Sequence, residues 1–257
     1  MPLHIVEQRR GRLHALIRQD GFLPLAEICR VLRVSPATAR RDLSAIEANG
    51  LITRTHGGAL ADYNVSFASI GERAKKARTA KTRIAIAAAR EAPFEGTIFI
   101  DAGTTTLSIA RLLARRKNQA LAIVTNSIAV ASVLGGAGGV TLHLLGGEYL
   151  HRQATLFGDR TIADVSDWSF DAVFLGGEAM DSRGIWNSHD EVVRLERAVL
   201  ARAAISYFCL DASKLGHATP HFAVAWADAG NLISDATPAA LRSASINLGS
   251  CRHIQAV

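Results

Sequence analysis

The sequence predicts an α/β protein in two parts: an N-terminal head of short helices closed by a small β-hairpin, then a larger domain built on a mostly parallel sheet. Three observations carry this. From residue 81 onward, short unalternating apolar runs are separated by stretches of helical periodicity, as expected for strands covered on both faces. Before residue 60, a short helical pattern, a tight turn and a Ser-Pro-capped helix precede two short strands around a Gly-Gly turn. Charge divides along the same line: residues 1–90 carry 16 Lys/Arg against 7 Asp/Glu, and the remaining 167 residues carry 13 against 16. A basic head on a near-neutral body suits a polyanionic partner, although a solvated basic face gives the same count.

In the head, His4 to Gln19 reads as a helix, with Ile5, Leu13, Leu16 and Ile17 on its apolar face and Gly21 ending it. Phe22-Leu23 reads as extended, because Pro24 restricts the residue before it. Leu25 to Leu32 forms a second helix, and Arg33-Val34 the turn. Ser35 then caps a third helix whose first position, Pro36, needs no N–H. Ala39, Leu43 and Ile46 make its inward stripe and leave Thr38, Arg40, Arg41 and Ser44 largely outside. Gly50 stops this helix, and Leu51–Thr55, His56-Gly57-Gly58 and Ala59-Leu60 read as a wing. The whole is a winged helix-turn-helix. Ser35, Pro36, Thr38, Arg40, Arg41, Ser44, Arg54 and His56 are the candidate contacts to double-stranded DNA. Protein-only contacts are the competing use of such a head. Thr38 serves equally as a plain surface residue, and Asp42 is expected to orient its neighbouring arginines by ion pairing.

These expectations place a DNA-binding domain at 1–60, a linker with some helix at 61–80 and an α/β domain at 81–257. The linker carries Arg73, Lys75, Lys76 and Arg78. In the α/β domain the strand candidates are Thr97–Ile100, Leu121–Val124, Val140–Leu145, Ala172–Leu175 and Ile205–Leu210; helices fall at Thr105–Arg115, Ser127–Leu134 and Asp190–Ala203. Ligands of such Rossmann-like domains bind at the carboxyl ends of the strands. Polar or glycine-rich loops follow all five runs: Asp101 to Thr106, Thr125 to Ser127, Gly146 to Glu148, Gly176 to Glu178, and Asp211 to Lys214. Gly103 allows close backbone approach, and the following helix start offers free N–H groups beside the Thr104, Thr105 and Thr106 hydroxyls, a phosphate cradle. Lys214 can balance the charge. Asp101, Gly103, Thr104, Thr105, Thr106, Asn126, Ser127, Gly147, Glu148, Gly176 and Lys214 are the candidate effector contacts, although each loop singly is also an ordinary cap or turn. His189 reads as a surface residue at a helix start or as a further ligand contact.

Two motifs in the head carry a resemblance. Val34-Ser35, Thr38 and Arg40-Arg41-Asp42-Leu43, followed by Arg54, His56-Gly57-Gly58-Ala59, are similar to the DeoR-type recognition helix and wing. In the body, Asp101-Ala102-Gly103-Thr104-Thr105, Val124-Thr125-Asn126-Ser127, Leu145-Gly146-Gly147, Gly158 and Asp211-Ala212-Ser213-Lys214 resemble the DeoR-family sensor domain. The resemblance runs from residue 9 to about 235. It implies a fold like that of ribose-5-phosphate isomerase and a phosphorylated sugar effector held by the 103–106 loop and Lys214. The family usually has Ser where Ala102 stands, and Trp186 to His189 and the chain past Ala236 are less typical.

The function expected is sequence-specific transcriptional regulation, most simply repression of a carbohydrate operon relieved by the effector. The alternative is an isomerase-like enzyme with an accessory head, with Asp101, Glu148, Glu178 and Lys214 as its acid, base and electrostatic groups. No catalytic residues, cofactor or metal are expected on the first reading. Cys29, Cys209 and Cys251 lack ligand spacing and imply no disulfide framework. A homodimer or homotetramer is expected, since such heads commonly bind paired half-sites. With no apolar signal-like region and no membrane-length apolar stretch, a cytoplasmic protein is expected.

Overall fold

A computed structural model of the chain describes residues 3–55, 57–62 and 67–257. The chain divides into two compact units, Met1–Arg73 and Ala74–Val257.

In the first unit, α1 (Leu3–Asp20) leads through β1 (Phe22–Pro24) to α2 (Leu25–Leu32) and α3 (Pro36–Glu47); β2 (Ile52–Thr55) and β3 (Gly58–Ala61) follow. The strands form an antiparallel sheet in the order β1-β3-β2. One core joins the layers: Leu13 and Ile17 of α1, Ile28 of α2, and Ala39, Leu43 and Ile46 of α3 pack with Leu23, Ile52 and Ala59. Each fully buried aliphatic contributes about 1.5–3 kcal/mol before the entropy of ordering is charged against it. Ile5, expected on this face, is 41% exposed instead. The three-helix core begins at Leu13, and the earlier turns of α1 make polar contacts. The head's packing continues past Leu60: Phe67 is buried in the same core, and the Ala68 N–H donates to the Arg18 carbonyl at 2.8 Å. A short helix, α4 (Ile70–Ala74), follows.

The turn between α2 and α3 places Arg33 in the left-handed region, at φ 53°. Ser35 caps α3 by accepting the Thr38 N–H at 3.2 Å, with Pro36 in the first turn. Gly58 is fixed by a different constraint. It pairs with Pro24 across β1 and β3, and a Cβ there would lie 2.2 Å from the Leu23 carbonyl oxygen.

The second unit opens with α5 (Arg78–Glu91) and continues as β4 (Glu95–Ile100), α6 (Thr104–Leu113), β5 (Ala120–Thr125), α7 (Ile128–Leu134) and β6 (Val140–Leu144). A hairpin of β7 (Glu148–Leu150) and β8 (Thr155–Phe157) leads to α8 (Asp159–Val165) and β9 (Ala172–Leu175). Then come β10 (Ala179–Met180), β11 (Gly184–Asn187), α9 (Asp190–Leu200), β12 (Ser206–Cys209), β13 (His221–Ala225), β14 (Asn231–Ser234), α10 (Pro238–Ser243) and β15 (Arg252–Gln255).

Among the described residues the main sheet has seven strands, all parallel, in the order β15-β14-β12-β9-β4-β5-β6. From β4 the chain winds outward through β5 and β6, then returns to the other side of β4 with β9 and winds away through β12, β14 and β15. The switch point therefore lies between β4 and β9, where open α/β sheets hold their ligands. Its central strands are buried on both faces: Ile98, Phe99 and Ile100 in β4, Val173, Phe174 and Leu175 in β9, and Phe208 in β12 are fully covered. That burial explains their unalternating sequences. A small antiparallel sheet, β10-β11-β13, is built from the segments that follow β9 and β12. No helix among the described residues is long and apolar enough to cross a membrane.

Because the missing side chain at Gly58 lets β1 and β3 meet, Gly58→Ala is expected to destabilise the head by about 1–3 kcal/mol through overpacking. Denaturant unfolding of the full chain, followed by a probe in the head, checks this; a wild-type midpoint for the variant contradicts it.

Candidate functional site

Two sites are described separately, one in each unit. In the head, α3 turns Ala39, Asp42, Leu43 and Ile46 inward and exposes Arg40, Arg41 and Ser44. Asp42 corrects the expectation drawn from its neighbours. It is 1% exposed and does not pair with Arg40 or Arg41. Its carboxylate accepts from Arg9 Nε at 2.6 Å and Nη2 at 3.0 Å, and from Arg10 Nε at 3.0 Å, both from α1. Adjacent helix residues do not face each other, so an acid on the inward stripe meets another helix. Arg40 and Arg41 are consequently left without a partner among the described residues.

Burial acts to raise the Asp42 pKa, but the hydrogen bonds and charges of Arg9 and Arg10 together hold it below its ordinary value of 3.8. Pro36 is exposed at the start of α3. Ser35 spends its hydroxyl on the cap, and the Thr38 hydroxyl lies 3.1 Å from it. Arg54 of β2 is bonded back to α3: Nε to Glu47 Oε2 at 2.5 Å and Nη1 to Ser44 Oγ at 2.7 Å. His56 lies outside the described residues. An open groove of about 300 Å³ is lined by Leu25, Arg40, Leu43, Arg54, Thr55 and Gly58. Two unpaired arginines on a capped helix beside this groove are suited to phosphates and base edges.

In the α/β unit, parallel pairing brings all five expected loops to one edge of the sheet, in the strand order β6-β5-β4-β9-β12. At the switch point, the Asp101 N–H donates to the Phe174 carbonyl at 3.0 Å, and the Gly176 N–H donates to Asp101 Oδ2 at 3.2 Å. Thr106 is fully buried and internally bonded: its Oγ1 accepts from the Gly103 N–H at 2.9 Å and lies 2.7 Å from the Asp101 carbonyl, to which it donates. The hydroxyls of Thr104 and Thr105 have no partner among the described residues. They stand in the first turn of α6, where backbone N–H groups lack intrahelical acceptors. Lys214 follows β12 in a short 3₁₀ turn; it is half-buried and its ammonium has no partner among the described residues.

Three of the other expected contacts, Ser127, Asn126 and Gly147, have structural employment. Ser127 is buried and caps α7 by accepting the Val130 N–H at 3.2 Å. The Asn126 amide donates to Thr155 Oγ1 at 3.1 Å and to the Leu156 carbonyl at 3.2 Å, while its Oδ1 is buried without a partner among the described residues. Gly147 has φ 141°, and a Cβ there would meet Thr161 Oγ1 at 2.1 Å, so it is needed for packing on α8. Glu148 is exposed on β7. His189 is half-buried at the residue before α9.

The sequence reading missed a buried acid. Glu196 of α9 is 2% exposed, and Asn187 Nδ2 donates to its two oxygens at 2.9 and 2.8 Å. Burial first, then the Asp101 charge, drives its pKa well above the ordinary carboxylate range. Glu178 adds to this while accepting from the Ser188 N–H at 3.2 Å. The signal was present in the sequence: Val192, Glu196 and Val199 fall on one helical stripe, and an acid there should be buried. No group of His, Cys, Asp and Glu among the described residues is arranged to hold a metal ion.

A winged helix with two arginines on α3 that have no partner among the described residues, in one chain with a parallel α/β domain, has the form of a DNA-binding regulator. The family described as the DeoR-like helix-turn-helix domain matches residues 9–65, and the DeoR C terminal sensor domain matches residues 76–236. The chain belongs to the DeoR family of transcriptional regulators. Among its relatives, the glycerol-3-phosphate regulon repressor of Escherichia coli (strain K12) is 33% identical over 81% of this chain and 82% of its own. The lactose phosphotransferase system repressor of Lactococcus lactis subsp. lactis is 31% identical over the same shares. The HTH-type transcriptional repressor GlcR of Bacillus subtilis (strain 168) is 30% identical over 82% of this chain and 81% of its own. A solved ribose 5-phosphate isomerase A from Methanocaldococcus jannaschii aligns over 54% of each chain at 16% identity and a TM-score of 0.40.

The Asp42 pair makes a prediction about acid. Because the folded pKa is lowered, its contribution is present above the unfolded value of 3.8 and is lost as pH falls through the lower folded value. Asp42→Asn is expected to cost the head about 2–3 kcal/mol near neutral pH and to flatten its stability below pH about 4. Unfolding curves across that range check both, and an unchanged acid limb contradicts the assignment.

Proposed function

We propose that the chain represses a carbohydrate-utilisation operon in the cytoplasm and is released by a phosphorylated sugar. The head would grip double-stranded DNA through the start of α3, with Arg40 and Arg41 as its principal contacts. The observation that carries the reading is the joining, in one chain, of those unpaired arginines with an unpaired lysine and a helix start at the sheet's carboxyl edge. The names of the relatives point the same way: one represses a glycerol-3-phosphate regulon and another a lactose phosphotransferase system.

Spacing narrows the effector site. Neighbouring strands lie about 4.8 Å apart, so the loops after β4, β9 and β12 span about 10 Å, whereas those after β6 and β12 are about 19 Å apart. One sugar phosphate reaches across the first span and not the second. We therefore centre the site on Asp101, Gly103 to Thr105, Gly176 and Lys214, with the phosphate at Thr104, Thr105 and Lys214 and the sugar hydroxyls toward Asp101. Asn126, Ser127, Thr106 and Gly147 shape the edge from behind. A regulator needs no turnover, and Asp101 and Glu178 already accept backbone N–H groups. Paired half-sites would call for a dimer or tetramer.

Binding of labelled DNA from upstream of its own operon tests the reading, with sugar phosphates added. Arg40→Ala and Arg41→Ala are each expected to cost about 1–3 kcal/mol of affinity at a base contact, or to lower the salt slope by about one at a phosphate contact. Lys214→Ala is expected to raise the effector concentration needed for release about ten-fold or more, the loss of one charge-assisted hydrogen bond. DNA binding indifferent to both arginines, or release indifferent to Lys214, would sink the corresponding half. Turnover of a sugar phosphate would favour an isomerase-like enzyme instead.

A further inference from the structure

We propose that Arg54 is a positioning residue and not a DNA contact: clasped by Glu47 and Ser44, it sets the wing at a fixed angle to α3. The inference rests on the DNA-binding reading of the head. Glu47 takes two N–H groups from this one residue, the Arg54 backbone N–H on Oε1 at 2.8 Å and Nε on Oε2 at 2.5 Å. Those bonds, the backbone one foremost, hold the Glu47 carboxyl below its ordinary value. The second arm of the guanidinium reaches Ser44 one turn earlier on the same helix, at 2.7 Å. Arg54 is thus committed at main chain and side chain, whereas Arg40 and Arg41 have no partner among the described residues.

Glu47 otherwise makes little sense where it stands. An acid in the last turn opposes the helix dipole, and on a DNA-facing helix it would repel phosphate. As an exposed ion pair it adds little stability, since Arg54 and Glu47 are 43% and 33% exposed. Its geometric effect is larger. Among the described residues β2 is an edge strand paired with β3 alone, and it follows α3 through a short turn in which Gly50 has φ 68°. Ile52 anchors one face of β2 in the core, and the Arg54–Glu47–Ser44 clasp ties it to the exposed side of α3. With both in place, the wing cannot swing relative to the arginines of α3.

The two roles predict opposite behaviour. DNA affinity of the full chain for its own upstream region is measured across salt concentrations for wild type, Arg54→Lys, Arg54→Ala, Glu47→Gln, Glu47→Ala and the Glu47→Ala/Arg54→Ala double variant. A clasp requires the planar fork, so Arg54→Lys, which keeps the charge, should weaken binding about as much as Arg54→Ala. Glu47→Ala should also weaken it, each by about ten-fold, and the double variant should be no weaker than either single one. The salt slope should not change in Arg54→Lys or Arg54→Ala. Wild-type binding by Arg54→Lys, tighter binding by Glu47→Ala, or a slope reduced by about one in Arg54→Ala would make Arg54 a phosphate contact and overturn the proposal. Hydrogen exchange without DNA gives an independent readout. Amides of β2 and β3 should lose protection alike in Arg54→Ala and Glu47→Ala, while those of α1 keep theirs; unchanged protection in β2 and β3 also overturns it. If the wild type binds no DNA, the reading of the head fails by itself, and the exchange result still decides the clasp.

Discussion

Every strand of the main sheet runs the same way, and most of the site follows from that constraint. Parallel neighbours require crossovers, so each strand must leave at one edge and the next must begin at the other. The loops after β6, β5, β4, β9 and β12 are therefore collected in a row, although they are scattered over more than a hundred residues of sequence. The reversal of winding between β4 and β9 sets Asp101 beside Gly176, whose N–H it accepts. What the edge offers a ligand is then set by which polar groups the fold has already used. Thr106, Ser127 and most of Asn126 are consumed in holding turns, whereas Thr104, Thr105 and Lys214 are not.

The same distinction between used and unused groups organises the head. Two carboxylates on α3 dispose of three arginines. Asp42, turned inward, takes Arg9 and Arg10 and so fastens α1 across α3. Glu47, turned outward, takes Arg54 from β2. The net positive charge of the head is high, yet its freely presented part on α3 is small and local: Arg40 and Arg41, one turn beyond a helix start that Ser35 and Pro36 define. A total charge would not reveal this, because it counts clasped and free arginines alike.

Much of this was legible in the sequence. The Ser35-Pro36 cap, the inward stripe of α3 and the central strands β4, β5, β9 and β12 have local causes, a cap chemistry, a period or a doubly buried run, and each stands in the structure close to where it is expected. The fifth expected strand, β6, also forms, but at the edge of the sheet with Leu144 44% exposed, so its apolar run is not covered on both faces. The misses have causes that are not local. β14 has only Leu232 and Ile233 between polar ends, and β15 is a polar edge strand, so neither has the apolar run of a central strand. The partners of Asp42 sit more than thirty residues away in sequence, and its adjacent arginines were the misleading choice. The second glycine of the wing looked like turn chemistry, but Gly58 is needed because another strand passes too close for a side chain. For Ser127 the sequence leaves a helix cap and a ligand contact both open, and the structure shows the cap, while Gly147 is held by close packing on α8 that local sequence does not reveal.

The central claim is that a phosphorylated sugar and the operator compete through the protein's conformational equilibrium. The measurement that meets it most directly is a thermodynamic cycle. Operator affinity is determined with and without a saturating sugar phosphate, and sugar-phosphate affinity with and without operator. Linkage requires the two factors to be equal, and a working regulator should show a factor of about 5 or more, absent for the unphosphorylated sugar. Specific operator binding with a factor of one for every sugar phosphate tried would contradict the account.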